Sequence, residues 1–73
     1  MKYPENITKE QLEQTIDNVV ILHTNAQRNR AILKRRLIDG RTHEQLAEEF
    51  DLSVQAIRKI LYKYEMIVFS HLA

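Results

Sequence analysis

One glycine, Gly40, and one proline, Pro4, are the only chain-breaking residues among 73. An all-β domain needs a turn residue every 8–12 positions or so, and this chain cannot supply them. The composition is globular rather than disordered, with 44% hydrophobic and 29% charged residues. Below ~70–80 residues one core yields little stability, so a small helical bundle, paired with a second copy, is the expected architecture. Cysteine is absent, which excludes disulfides and thiolate metal sites. No run of ~18 apolar residues predicts a membrane span, no signal peptide opens the chain, and a cytoplasmic location is expected.

Apolar spacing and caps predict four helices in a single domain over residues 1–73. Residues 1–7, with Pro4, read as a loose arm. Thr8 and Gln11 form a capping box, in which each side chain satisfies a free backbone N–H. Leu12, Ile16, Val19 and His23 then share a face beside Val20, predicting a helix over 8–23. The β-branched run Val19-Val20-Ile21 could instead favour a local strand. Thr24 and Gln27 repeat the capping spacing, with Asn25 as a second candidate cap. Ala26, Ile32, Leu33, Leu37 and Ile38 give the next helix, over 25–39, an apolar side. Its Arg28, Arg30, Lys34 and Arg35 are expected to project outward. Gly40 stops it, since glycine accepts the left-handed conformation at a helix end.

Thr42 and Gln45 form a third capping box and open a helix over 43–50, with Leu46, Ala47 and Phe50 inward. Ser53 caps a last helix over 54–72, in which Ile57, Ile60, Leu61, Tyr64, Ile67, Val68 and Leu72 recur every three or four positions. A break near Glu65, with Met66 to Phe69 as a short strand, is the alternative. Tyr62, Met66 and Phe69 make a second apolar stripe, leaving the end of the helix, residues 64–73, hydrophobic all round. Such an end requires burial on every side, by the N-terminal helix or by another chain. Pairing of two copies through Tyr62, Met66, Phe69 and Leu72 is expected.

The net charge of +1 conceals segregation. Residues 1–27 carry −2, residues 28–41 carry +5, residues 42–53 carry −4 and residues 54–73 carry +2. Two basic segments could make a local positive face on a nearly neutral molecule. Intramolecular pairing on a solvated surface is the plainer reading of charge alone.

Residues 42–62 describe two short helices crossing steeply at a three-residue turn. Ala47 is small where the second helix passes over it. Leu46 and Phe50 face the core from one helix, Ile57 and Ile60 from the other, and Leu52 plugs the corner. Gln55, Ala56, Arg58, Lys59, Tyr62 and Lys63 remain on outward or flanking faces. Such a helix fits a major groove ~12 Å wide and presents side chains to base edges.

This pattern resembles the helix-turn-helix superfamily of DNA-binding proteins. It is most similar to the C-terminal promoter-reading domain of bacterial sigma factors and to small phage and bacterial regulators. The resemblance lies in Leu37 to Gly40, Thr42, Glu44, Leu46-Ala47-Glu48, Phe50, Leu52-Ser53 and Ile57-Arg58, and covers about residues 30–63. It departs at the turn, where the family has glycine and this chain has Asp51. Aspartate is among the few other residues that tolerate a left-handed backbone.

Other chemistry is weakly signalled. His43-Glu44 begins a zinc-protease pattern, but Ala47 stands where the second histidine belongs. His23 and His71 are lone histidines read as packing residues. Glu44 and Glu48 read as solvated charges rather than an acid/base pair, and Ser53 as a cap rather than a nucleophile. No catalytic residue, metal site or cofactor is expected. Sequence-specific binding of double-stranded DNA by a homodimeric transcription regulator is the reading, with Arg41, Thr42, His43, Ser53, Gln55, Ala56, Arg58, Lys59, Tyr62 and Lys63 at the DNA. Arg36 is a further phosphate candidate. Glu48 and Glu49 should face away. The alternatives are a sigma-like or anti-sigma-like protein-interaction adaptor, or a DNA-targeting subunit of a recombination or packaging complex.

Overall fold

The computed structural model describes residues 7–20 and 25–72, and these form four helices. They are α1 (Lys9–Val19), α2 (Ala26–Leu37), α3 (His43–Phe50) and α4 (Val54–Leu72). No strand occurs among the described residues. α4 continues unbroken through Glu65. At 1.5 Å per residue it runs about 28 Å, most of the 33 Å long dimension of the molecule. Each of the other helices packs against it, whereas α1 touches α2 and α4 but not α3.

Local chemistry accounts for most helix ends. Thr8 Oγ1 accepts from the Gln11 N–H at 3.1 Å, and Gln11 Oε1 accepts from the Thr8 N–H at 3.0 Å. The Thr42–Gln45 box repeats this at 3.1 and 2.9 Å. Ile7 precedes the first cap and packs against the core, at the spacing of a hydrophobic staple to Leu12. It therefore belongs to the domain rather than to a loose arm. Gly40 has φ of +72°, the left-handed backbone expected of it, and a Cβ there would meet nothing within 4 Å. Its conformation, rather than crowding, explains the glycine.

Two helices are shorter than their apolar patterns predict. α1 stops at Val19 rather than near residue 23. Val20 leaves helical geometry with ψ of 67°, and Arg30 Nη1 donates to its carbonyl at 2.6 Å. A carbonyl freed at the helix end has thus found a partner on α2. Ile21, His23 and the Thr24 cap lie outside the described residues. Asn25 occupies the cap position of α2 but makes no side-chain capping bond. α2 ends at Leu37 rather than 39. Its last turn unwinds through Asp39 N–H to Lys34 O (3.3 Å) and Arg41 N–H to Arg35 O (3.1 Å).

The core is a single cluster. Ile16, Val20, Ile32, Leu33, Leu46, Ile57 and Val68 are all at 0% exposure. Each such side chain contributes roughly 1.5–3 kcal/mol by leaving water. Leu12, Ala26, Ala47, Leu61 and Tyr64 complete the cluster, with Leu37, Ile38, Phe50, Leu52, Ile60, Ile67 and Leu72 partly buried at its margin. Asn29 is buried and polar, and its Oδ1 accepts from Arg28 Nε and Nη2, each at 3.2 Å. Among the described residues, no helix is long and apolar enough to cross a membrane.

Candidate nucleic-acid interface

α3 and α4 meet through a tight left-handed corner. Asp51 adopts φ 55°, ψ 47°, and the Leu52 N–H returns to the Ala47 carbonyl at 2.9 Å. This six-to-one bond closes the end of α3 as a glycine would. Leu52 is half-buried in the corner. Ser53 Oγ then accepts from the Ala56 N–H at 3.0 Å and starts α4. Buried Leu46, Ala47 and Ile57 fix the crossing from beneath.

That crossing orients α4. Gln55, Lys59, Tyr62 and Met66, at steps of four, three and four, form one exposed line along it. Ala56 and Lys63, seven apart, flank the line on one side; Arg58 and Glu65, also seven apart, flank it on the other. Gln55, Arg58, Lys59 and Lys63 are exposed and Ala56 is half-buried. Lys63 Nζ sits 5.3 Å from the centroid of the buried Tyr64 ring, a cation–π contact that steadies its stem.

The start of α3 lies beside this face. The Thr42 hydroxyl serves as the acceptor of its own capping box, so it is committed to the helix end. The exposed Arg41 side chain stands just before it, on a backbone held at both ends. Its N–H donates to Arg35 O at 3.1 Å, and its carbonyl accepts from Arg36 Nη1 at 2.7 Å. Between α2, α3 and α4 runs a groove of about 610 Å³ lined by Arg36, His43, Arg58, Lys59, Leu61, Tyr62 and Glu65. It brings together one sequence-predicted residue from α3 and three from α4. Arg36 joins them, and so does Glu65, which sequence reasoning passed over. Burial pushes the Glu65 carboxyl above its ordinary range, while nearby Arg36 and His43 pull it back.

The basic stretch of α2 contributes less than its charge suggests. Four of its cations were expected to project outward, yet all are half-buried and engaged within the fold. Asp17 of α1 binds Lys34 Nζ at 2.8 Å and lies 3.8 Å from Arg30 Nε. Arg35 pairs with Glu49 of α3. Arg28 is bound to Asn29. By contrast, Arg41, Arg58 and Lys59 make no ion pair among the described residues, so α4 and the start of α3 carry positive charge available to a partner.

The apolar end of α4 departs from expectation too. Phe69, expected between two chains, is only 8% exposed within one. Its own chain covers it, which the helical pattern of α4 alone could not reveal. Tyr62 and Met66 remain 75% and 50% exposed, and Leu72 is half-buried. His71 is exposed rather than packed, with Nδ1 2.9 Å from the Ile67 carbonyl oxygen. No group of three or more His, Asp or Glu side chains is placed to hold a metal among the described residues.

The model of the family Sigma-70, region 4 matches residues 26–63, the span from the first residue of α2 to Lys63 in the middle of α4. The chain belongs to this family. Region 4 is a helix-turn-helix DNA-binding domain of the C-terminal region of sigma factors, typically without enzymatic activity. No curated protein and no solved structure matched the chain. The region 4 match ends two residues before Glu65 and leaves out α1 and the last turns of α4. DNA binding in a transcription-related setting is therefore the general function of this chain.

Proposed function

We propose that the chain is a transcription regulator that reads a specific duplex by laying the first half of α4 in the major groove. The exposed line through Gln55, Lys59 and Tyr62, flanked by unpaired Arg58, carries this reading. Gln55 suits paired hydrogen bonds to adenine, Arg58 or Lys59 suits guanine or phosphate, and Ala56 suits a thymine methyl. Phosphates are gripped by Arg41, by His43, and by the backbone N–H groups at the start of α3, where the helix dipole favours an anion. Thr42 and Ser53 act here by shaping the helix ends. Glu48 faces solvent, and Glu49 turns to Arg35.

Pairing of two copies belongs to the same reading, with Tyr62 now on the DNA side. One face of one helix cannot serve both partners along its whole length. The pairing surface is thus reduced to Met66 and its neighbours, far short of the ~800 Å² per partner of a stable dimer. Two copies meet when adjacent half-sites bring them together, about 34–36 Å apart.

Selection of bound duplexes from a random pool, followed by sedimentation of the complex, tests both parts. The expected result is an enriched palindrome holding two copies, with the free protein monomeric at micromolar concentration. Arg58→Ala should weaken binding to that palindrome by roughly 1–3 kcal/mol if it reads a base. No enrichment, or undiminished binding by the Arg58→Ala, Lys59→Ala double variant, rejects the groove assignment and favours the adaptor.

A further inference from the structure

The groove beside α4 changes character along its length. Its upper part is walled by Arg36, His43, Arg58 and Lys59. A second hollow of about 330 Å³ continues it, between Tyr62, Met66 and Phe69. Glu65 lines both and stands at the junction. Among the described residues it is the only acidic side chain lining either one. Two helical turns separate it from Arg58, so the two share a face of α4 about 10.5 Å apart. That separation is close to the Debye length of ~10 Å at 0.1 M salt. A phosphate seated at Arg58 is thus barely repelled by Glu65, while a phosphate seated further along the groove meets its carboxylate directly. The half-buried position leaves less water to screen that encounter.

We infer that Glu65 is a specificity-determining residue that sets where the DNA backbone must stop along α4. Without it, the groove would offer phosphates a sliding series of seats, from the cationic end onto neutral surface. With it, only the placement that puts the first half of α4 against the bases avoids a buried like-charge contact. The residue discriminates by excluding wrong registers, and it touches no base. Its basic neighbours Arg36 and His43 offset part of this charge. The hydrogen bond from Arg36 to the Arg41 carbonyl, at 2.7 Å, directs one end of its guanidinium away from Glu65's end of the groove toward α3. Neither Arg36 nor His43 forms an ion pair with Glu65 among the described residues. The inference rests on the groove reading proposed above.

The test compares binding of the whole chain to its selected duplex and to a scrambled duplex, by fluorescence anisotropy over a range of salt. Glu65→Gln keeps the shape and removes the charge. It should tighten binding to the scrambled duplex by about three- to tenfold and improve the selected one less, so that their ratio falls. Glu65→Lys should lower the ratio further and steepen the salt slope by about one. An unchanged ratio in a folded Glu65→Gln variant overturns the inference. So does a parallel loss on both duplexes, the mark of a residue that only braces the helices. Failure of the groove reading looks different. It shows in the parent background, as Arg58→Ala, Lys59→Ala binding undiminished. If Glu65→Gln does not fold, Glu65→Lys decides by the same two readouts.

Discussion

The corner between α3 and α4 turns on one residue in an uncommon conformation. An L-residue in the left-handed region carries a cost of roughly 1–2 kcal/mol from its Cβ, reduced for aspartate by its short polar side chain. Asp51 bears that cost at φ 55°. Replacement by glycine removes the Cβ but gives the unfolded chain more freedom, and the two effects oppose each other. Asp51→Gly should therefore stabilise the domain by no more than about 1 kcal/mol. Asp51→Val, branched and unable to bond locally, should lose about 1–2 kcal/mol or more. Urea melts read both. A valine variant that melts like the parent would mean that the corner relaxes into another shape. The same residue shows what a sequence reveals at this scale. The Thr8, Thr42 and Ser53 caps and the Asp51 turn were legible because cap and partner lie within three to five residues of each other.

Elements were legible where their own spacing decided them and obscure where a distant residue did. α3 and α4 run as their patterns predict, because Leu46, Ile57 and their neighbours face one shared core. The end of α1 was not legible, because its terminal carbonyl at Val20 is taken by Arg30, ten residues away on another helix. For the same reason Phe69 was expected between two chains: helical phase shows which side of α4 it occupies, but not that its own chain covers it. Within the interface, Gln55, Arg58 and Lys59 could be found from phase alone. Arg36 was a candidate from its charge alone, whereas Glu65 could not be found, since the groove that gathers both exists only once α2, α3 and α4 pack. Arg30 tests how far α1 depends on its clasp. It bonds the Val20 carbonyl and approaches Asp17, so Arg30→Ala should cost about 1–2 kcal/mol in urea unfolding. Amide exchange should speed up in α1 more than in α3. Arg30→Lys keeps a cation but not the planar fork, and should recover only part of the loss. Equal acceleration across all four helices would show that α1 has no separate stability to lose.

At the scale of the whole molecule, net charge is a poor guide to DNA affinity. The +5 of residues 28–41 would suggest α2 as the main electrostatic contact. Folding spends much of that charge inside the protein, on Asp17, on Glu49 and on backbone carbonyls. The cations left for phosphate sit on α4 and at Arg41, and each one that neutralises a phosphate adds about 0.9 to the salt slope. Two neutralising substitutions separate the two populations. Arg35→Gln breaks a partly exposed pair with Glu49 and should lower stability by about 1 kcal/mol. It should leave the salt slope of duplex binding where it was. Lys59→Gln should do the reverse: the slope falls by about one, while the urea midpoint barely moves, within about 0.5 kcal/mol. Titrations at four or five salt concentrations, run beside urea melts of the same preparations, measure both quantities at once. If Arg35→Gln flattens the slope as much as Lys59→Gln does, the Arg35–Glu49 pair opens on DNA and α2 joins the interface.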